Sequence, residues 1–174
     1  MSVPILLLDA AWRIDRVIGV ETACELLVCS RAVGASEEIA TVMHSPSITV
    51  EVPSVIARIG RVGRNRYRPP SCNARRVRLR DDHVCQFIVN GLACERRGDS
   101  VDHLLPRSRG GESSWMNLVA SCRRHNGEKS DRSLAEMEFH GWALRRTPLV
   151  PTREAILLAG FPRHAPVWLP YLAA

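Results

Sequence analysis

The spacing of apolar positions changes several times along the chain, and each change marks an element. In GVETACELLVCSRAVG, residues 19–34, apolar residues recur every three or four positions, which predicts a helix with one buried face ending near Gly34. DSVDHLL, from Asp99, has the pattern of a short strand, and PRSRGGESS, from Pro106, has the proline and paired glycines of a loop. WMNLVAS, from Trp115, reads as a second strand, so the three predict a hairpin. CRRHNGEKSD, from Cys122, follows as a short helix with Ser121 as its N-cap. Burying both apolar faces requires that helix to fold back on the hairpin, which brings Asp102, His103, Asn117 and Asn126 toward one another. Asp102 and His103 alternate on a strand, so serving one phosphate together requires a twist in the chain that carries them. One more helix is predicted over residues 153–159, inside a proline-punctuated tail.

With 174 residues, close to half of them apolar, the chain can bury a core as one domain or two small ones. The apolar run at residues 4–8 has no basic residue before it and is broken by Asp9, which excludes a signal peptide. The longest uncharged stretch, residues 39–50, contains Pro46 and falls well short of the ~20 residues that cross a bilayer. A soluble, cytoplasmic protein without a membrane partner is expected.

Charge then divides the chain. Residues 1–57 hold three arginines against seven acids, a balance of −4, whereas residues 58–174 hold the other 21 basic groups against 11 acids, a balance of +10. RIGRVGRNRYRPPSCNARRVRLR, from Arg58 to Arg80, contains nine arginines, one tyrosine and no acid. Guanidinium forks match phosphate oxygens in pairs, so the run suits a nucleic-acid backbone. It also suits a solvated linker, because Lys129 is the single lysine and arginine richness is general to the chain.

Six cysteines in a cytoplasmic protein point to metal binding or buried thiols ahead of disulfides. Cys24 and Cys29, five apart on the first helix, leave different faces and read as small core residues. Cys122 and His125, three apart on a helix, share a face. With Cys85 and Cys94 they complete a Cys3His set for a structural zinc. The Cys85–Cys94 spacing is looser than a C-x-x-C knuckle, which leaves three readings: this set, a set with Cys72 or His83 substituted, or no zinc.

The stretch CQFIVNGLACERRGDSVDHLLPRSRGGESSWMNLVASCRRHNGEKSDRS resembles the HNH endonucleases, in the bacterial and phage branch with a zinc-knuckle frame. The DH pair, PRSRGG, W-x-N-L and C-x-x-[CH]-N-x-x-K stand in that family's order and spacing, over about a third of the chain. ILLLDAAWRIDRVIGVETACELLVCSRA and SPSITVEVPSVI are similar, more weakly, to the N-terminal region of some bacterial HNH proteins. The resemblance implies a ββα unit holding one Mg²⁺ or Mn²⁺ ion through Asp102 and Asn126. It implies that His103 is the general base and that Asn117 braces the loop carrying it. Asn126 stands where many members have histidine, and His125 stands where a cysteine is expected, a departure in the zinc set. Cleavage would leave a 3′-hydroxyl and a 5′-phosphate, and one such unit would nick a single strand.

The expected architecture is α+β: a small α/β unit at residues 1–57, an arginine-rich linker at 58–71, a zinc-framed ββα-metal nuclease domain at 72–135, and an extension at 136–174. The expected function is divalent-metal-dependent hydrolysis of DNA. Arg75, Arg76, Arg78, Arg107, Arg109, Arg123 and Lys129 would meet backbone phosphates, and residues 1–57 would serve a homodimer or a protein partner. A second reading is a zinc-stabilised DNA-binding or assembly protein with a weak or silent nuclease site, for example in phage packaging. A third is cleavage of RNA. His44, His83, His140 and His164 stand alone and read as surface or core residues. Trp115, Trp142 and Trp168 read as packing anchors.

Overall fold

Ile5, Leu6, Leu7 and Leu8 are wholly buried in the computed structural model, which describes residues 3–60 and 69–171. They belong to β1 (Pro4–Leu8), an interior strand of a four-stranded sheet, so both of its faces are covered and its sequence is uninterruptedly apolar. β2 (Ile14–Gly19) lies antiparallel beside it and leads directly into α1 (Val20–Val28). Val20, Ala23 and Leu26 of α1 pack on Ile5 and Leu7. After β3 (Ala32–Gly34), a separate hairpin of β4 (Ile39–His44) and β5 (Thr49–Pro53) precedes β6 (Val55–Arg58). The sheet order is β2-β1-β6-β3, with β1 and β6 parallel. These elements form one compact unit, residues 1–68 together with 161–174. The final described residues include a short helix, Ala165–Trp168, and the Tyr171 hydroxyl, which donates to the Ala35 carbonyl at 2.6 Å.

α1 stops at Val28, six residues short of the predicted Gly34. Ser30 turns left-handed at φ 53° and the amide of Arg31 closes onto the Leu26 carbonyl, which ends the helix. Residues 32–34 then pair with β6 as an edge strand, an arrangement that helical spacing could not reveal. Cys24 packs against the core as expected, but Cys29 caps the helix and is exposed.

The second unit, residues 69–160, begins with α2 (Ala74–Arg80), whose first turn is capped by the Asn73 side chain. β7 (Phe87–Val89) and β8 (Leu92–Ala93) form a tight hairpin; β9 (Ser100–His103) and β10 (Leu118–Ser121) form a second. α3 (Arg123–Lys129) and α4 (Leu134–Glu138) follow. β11 (Trp142–Leu144) then returns to β7, and α5 (Arg153–Gly160) closes the unit over residues close to those predicted. The whole is a mixed α+β protein with small sheets. Among the described residues no helix is long and apolar enough to cross a membrane.

Two local expectations change. The second strand of the hairpin starts at Leu118 and not at Trp115, because Trp115 turns into the core and its indole N–H donates to the Pro70 carbonyl at 2.8 Å. The N-cap of α3 is Cys122 and not Ser121, which is the last residue of β10. Arg80, the last arginine of the basic run, is also placed otherwise than on a nucleic-acid face. It pairs with Asp81 at 2.7 Å and donates to the carbonyls of Trp115 and Leu118, while Asp81 accepts from the Ala120 amide. This buried network ties α2 to β10. Arg58 faces Asp15 at 3.6 Å, and Arg61, Arg64, Arg66 and Arg68 lie outside the described residues.

Candidate functional site

PRSRGG forms a tight loop between β9 and β10. Pro106 is buried, residues 107–109 make one 3₁₀ turn, and Gly110 ends it left-handed at φ 82°. Gly111 is required for a different reason: a Cβ there would stand 1.8 Å from the Leu105 carbonyl oxygen. That oxygen accepts from the Asn117 amide at 3.0 Å. The Asn117 side chain also accepts from the Leu105 N–H at 2.8 Å and donates to the Glu112 carbonyl at 2.9 Å. One amide thus clamps both arms of the loop, two residues beyond His103. Gly111→Ala should therefore cost about 1–3 kcal/mol, the usual penalty of overpacking, which urea denaturation would measure.

His103 lies opposite Leu118 in the strand register, and its Nε2 is 3.0 Å from the Ser113 hydroxyl. Burial, helped by the Arg107 and Lys129 charges, holds its pKa below the ordinary histidine range. The ring is therefore neutral at neutral pH and able to accept a proton.

Asp102 points to the other face of β9, where α3 lies. Its neighbour two residues back, Ser100, accepts a hydrogen bond from the Asn126 amide at 3.1 Å and donates to the Ser121 carbonyl. One helical turn further on, the Lys129 ammonium reaches Asp102 Oδ1 at 3.2 Å and donates to the His103 carbonyl at 2.7 Å. Asn126 and Lys129, three apart, therefore share the helix face that looks onto Ser100 and Asp102. Asp102 Oδ2 is enclosed and has no hydrogen-bond partner. Burial pushes the Asp102 carboxyl above its ordinary range and the Lys129 charge offsets part of that rise. An orphaned, enclosed carboxylate oxygen is costly unless something completes it. Together with the Asn126 amide on the facing helix, this donor set fits a hard cation with open positions.

A second donor set lies behind the hairpin. Cys85, Cys94, Cys122 and His125 bring their ligand atoms within 4.8 Å of one another and could hold a metal ion. Cys85 Sγ is 3.5 Å from His125 Nδ1, and Cys94 Sγ is 4.0 Å from Cys122 Sγ. A tetrahedron with bonds of about 2.3 Å has edges of about 3.8 Å, so the cluster needs little contraction to close on zinc. Phe87 and Trp142 surround it, their rings 5.1 Å apart edge to face, with the His125 ring 5.1 Å from Trp142. Burial pushes the Cys85 thiol up to about 12 and the His125 imidazole down. Cys122 Sγ also accepts from the His125 amide as the cap of α3. Cys72 and His83, the alternative ligands, stand elsewhere: Cys72 packs beside Val77 and Trp115, and His83 lines a polar pocket.

The basic residues are placed unequally. Arg75, Arg107 and Arg123 are exposed. Arg76 donates to the Ser71 carbonyl and hydroxyl, and Arg78 to the Asp99 carbonyl at 3.0 Å. Arg109 grips both oxygens of Glu136 at 2.7 and 2.8 Å, which holds the loop on α4 and, with Ser133, keeps the Glu136 carboxyl down to about 2. Lys129 was expected on the nucleic-acid face and is wholly buried instead, its ammonium spent on Asp102 and His103. Sequence spacing did not single out Ser100 or Ser113, whose partners lie 26 and 10 residues away.

Residues 97–134 match the sequence model of a family described as HNH endonuclease. The match spans β9, the loop, β10 and α3, and the resemblance read from the DH pair and its companions stands. No curated protein and no solved structure matches the chain.

Proposed function

We propose that residues 69–160, which carry the HNH endonuclease match, hydrolyse phosphodiester bonds of DNA with a divalent cation held by Asp102 and Asn126. The observation that carries this reading is the pairing of a neutral, partly exposed His103 with an enclosed Asp102 oxygen that lacks a partner, on adjacent residues of one strand. With Nε2 turned toward Ser113, the imidazole offers Nδ1 to a water. It takes the proton of that water as the oxygen attacks phosphorus. Asn117 keeps the chain after His103 in one conformation, so the base does not have to be ordered again for each turnover. Alternation on β9 puts the two side chains on opposite faces, so joint action on one phosphate would require the substrate to reach across the end of the strand, where the Asn117 clamp holds the chain beyond His103. When bound, a Mg²⁺ or Mn²⁺ ion would supply positive charge to the phosphate oxygens and the leaving oxygen. Arg107, beside His103, and exposed Arg75 and Arg123 would neutralise flanking phosphates.

The Cys3His set is the proposed structural zinc site. Four protein donors would fill a zinc ion's coordination, which leaves it no part in the chemistry. It would instead pin β7, β8 and α3 together, and α3 carries Asn126 and Lys129.

The test is an end-labelled duplex incubated with the full, zinc-loaded chain in Mg²⁺, in Mn²⁺ or without either ion, beside a matched RNA duplex. Metal-dependent cleavage of DNA is expected. A folded protein that binds the DNA duplex and leaves it intact with every ion would overturn the reading in favour of a binding or assembly protein, and preferential cleavage of RNA would replace the substrate.

A further inference from the structure

Beyond the hairpin face, Arg78 and Arg97 form a second concentration of positive charge to which the proposed chemistry assigns no role. An open pocket of about 400 Å³ is lined by Arg78, His83, Arg97, Gly98 and Asp99, all of them polar or glycine. Its frame is fixed by the backbone. The Gly98 amide donates to the His83 carbonyl at 2.8 Å, the His83 amide donates to the Arg78 carbonyl at 2.8 Å, and Val84 bridges Arg97. His83 follows Asp82 in the left-handed region, at φ 56° and 55°. The floor admits only glycine at 98, because a Cβ there would come 2.9 Å from Ala120 Cβ and 3.0 Å from the Val84 carbonyl.

The charges in the pocket do not cancel one another. Arg78 spends one donor on the Asp99 carbonyl, and the other guanidinium donors remain for a ligand. Asp99 is the single acid, and its carboxylate is paired with the exposed Arg123 guanidinium on α3 at 3.2 Å, which leaves the charges of Arg78 and Arg97 uncompensated in the pocket. A rigid, polar, cationic pocket of this kind selects an oxyanion, and arginine forks suit the oxygens of a phosphate diester.

Its position identifies the phosphate. Asp99 runs straight into β9, and Asp102 stands three residues further along, about 10 Å at a strand's ~3.3 Å rise per residue. That span is on the order of one or two nucleotides of one strand, because the backbone winds about the axis and each step covers more than its ~3.4 Å axial rise. Arg123 on the rim and Asn126 at the other site also share one short helix. We infer that the pocket of Arg78, His83 and Arg97, with Arg123 at its rim, seats a backbone phosphate of the bound nucleic acid one or two nucleotides from the one being cut. This rests on the nuclease reading for its distance to the scissile bond, and on the pocket alone for its ligand.

Binding of the full, zinc-loaded chain to a fluorescent DNA duplex without added Mg²⁺ or Mn²⁺, followed by anisotropy at several salt concentrations, tests the pocket without any cleavage. Arg97→Ala should weaken binding several-fold at low salt and lower the slope of log affinity against log salt by about 0.9, the signature of one lost phosphate contact. Arg16→Ala removes the same charge from the other unit and should leave the slope unchanged. His83→Asn, which tolerates the left-handed backbone, should weaken binding less than Arg97→Ala does. A wild-type slope in Arg97→Ala, an equal loss in Arg16→Ala, or a wild-type chain that binds no duplex would overturn the inference. Normal pocket-dependent binding without metal-dependent cleavage would instead overturn the nuclease reading and leave the pocket standing.

Discussion

Cys85→Ser should leave residues 69–160 without a fixed tertiary structure, and stripping wild type with a strong chelator should do the same. Cys85 is wholly buried beside Cys122 in a core that also contains Phe87, Val119, Met137 and Trp142. Without an ion the Cys85 thiol is a neutral group pushed up to about 12, and the four donor atoms crowd within 4.8 Å of one another. With an ion the thiols lose their protons and the cluster becomes a cross-link among β7, β8 and α3. Structural zinc contributes about 10–16 kcal/mol in small metal-folded domains. A domain's whole stability is about 5–15 kcal/mol, so a zinc ion bound there would decide whether this unit folds. Mass spectrometry should find one zinc per wild-type chain and none in the variant, with the near-ultraviolet circular dichroism of buried Trp115 and Trp142 lost. A zinc-free wild-type protein that unfolds cooperatively at its usual temperature would contradict the assignment.

Lys129→Met should destabilise the same unit by about 3–5 kcal/mol, the cost of leaving one partner of a buried ion pair uncompensated. The Lys129 side chain is fully enclosed and meets a carboxylate that is itself 7% exposed. Its removal leaves Asp102 with a single charge and no counter-ion. The double variant Lys129→Met, Asp102→Leu should recover most of the loss, because an apolar pair of similar volume carries no desolvation cost. If Asp102 is a ligand of a divalent ion, added Mg²⁺ should stabilise Lys129→Met more than wild type, since the ion then supplies the missing charge. Urea denaturation of the three proteins with and without Mg²⁺ reads all three expectations. A Lys129→Met variant as stable as wild type would show that the pair contributes nothing.

Much of this was legible because it depends on local pattern. Ser100–His103 within DSVDHLL form a strand in which Asp102 turns to the buried side, and PRSRGG is a loop because proline, a left-handed glycine and a glycine without room for Cβ are needed there. The cysteines and His125 announced a donor set through residue type and spacing, and the fold brings together those four and leaves Cys72 and His83 apart from them.

What was not legible depends on partners distant in sequence. Lys129 looked like a phosphate-binding cation because a sequence shows the charge and not the acid that faces it, 27 residues away. Arg80 belonged to an apparent basic run until Trp115, Leu118 and Asp81 claimed its donors. His83 read as an isolated histidine, since only the fold sets Arg97 and Arg78 around it. The end of α1 was placed late because the edge of β6 captures residues 32–34, a tertiary pairing that overrides their helical spacing.

The account stands most directly on His103. Nicking of a supercoiled plasmid should be compared between wild type and His103→Ala, each zinc-loaded, with and without added Mg²⁺. Loss of a positioned general base costs about 10²- to 10⁴-fold, so the variant should fold and bind like wild type while its Mg²⁺-dependent nicking falls by that factor, and wild type should not nick until Mg²⁺ is added. Equal nicking by wild type and His103→Ala would contradict the central claim.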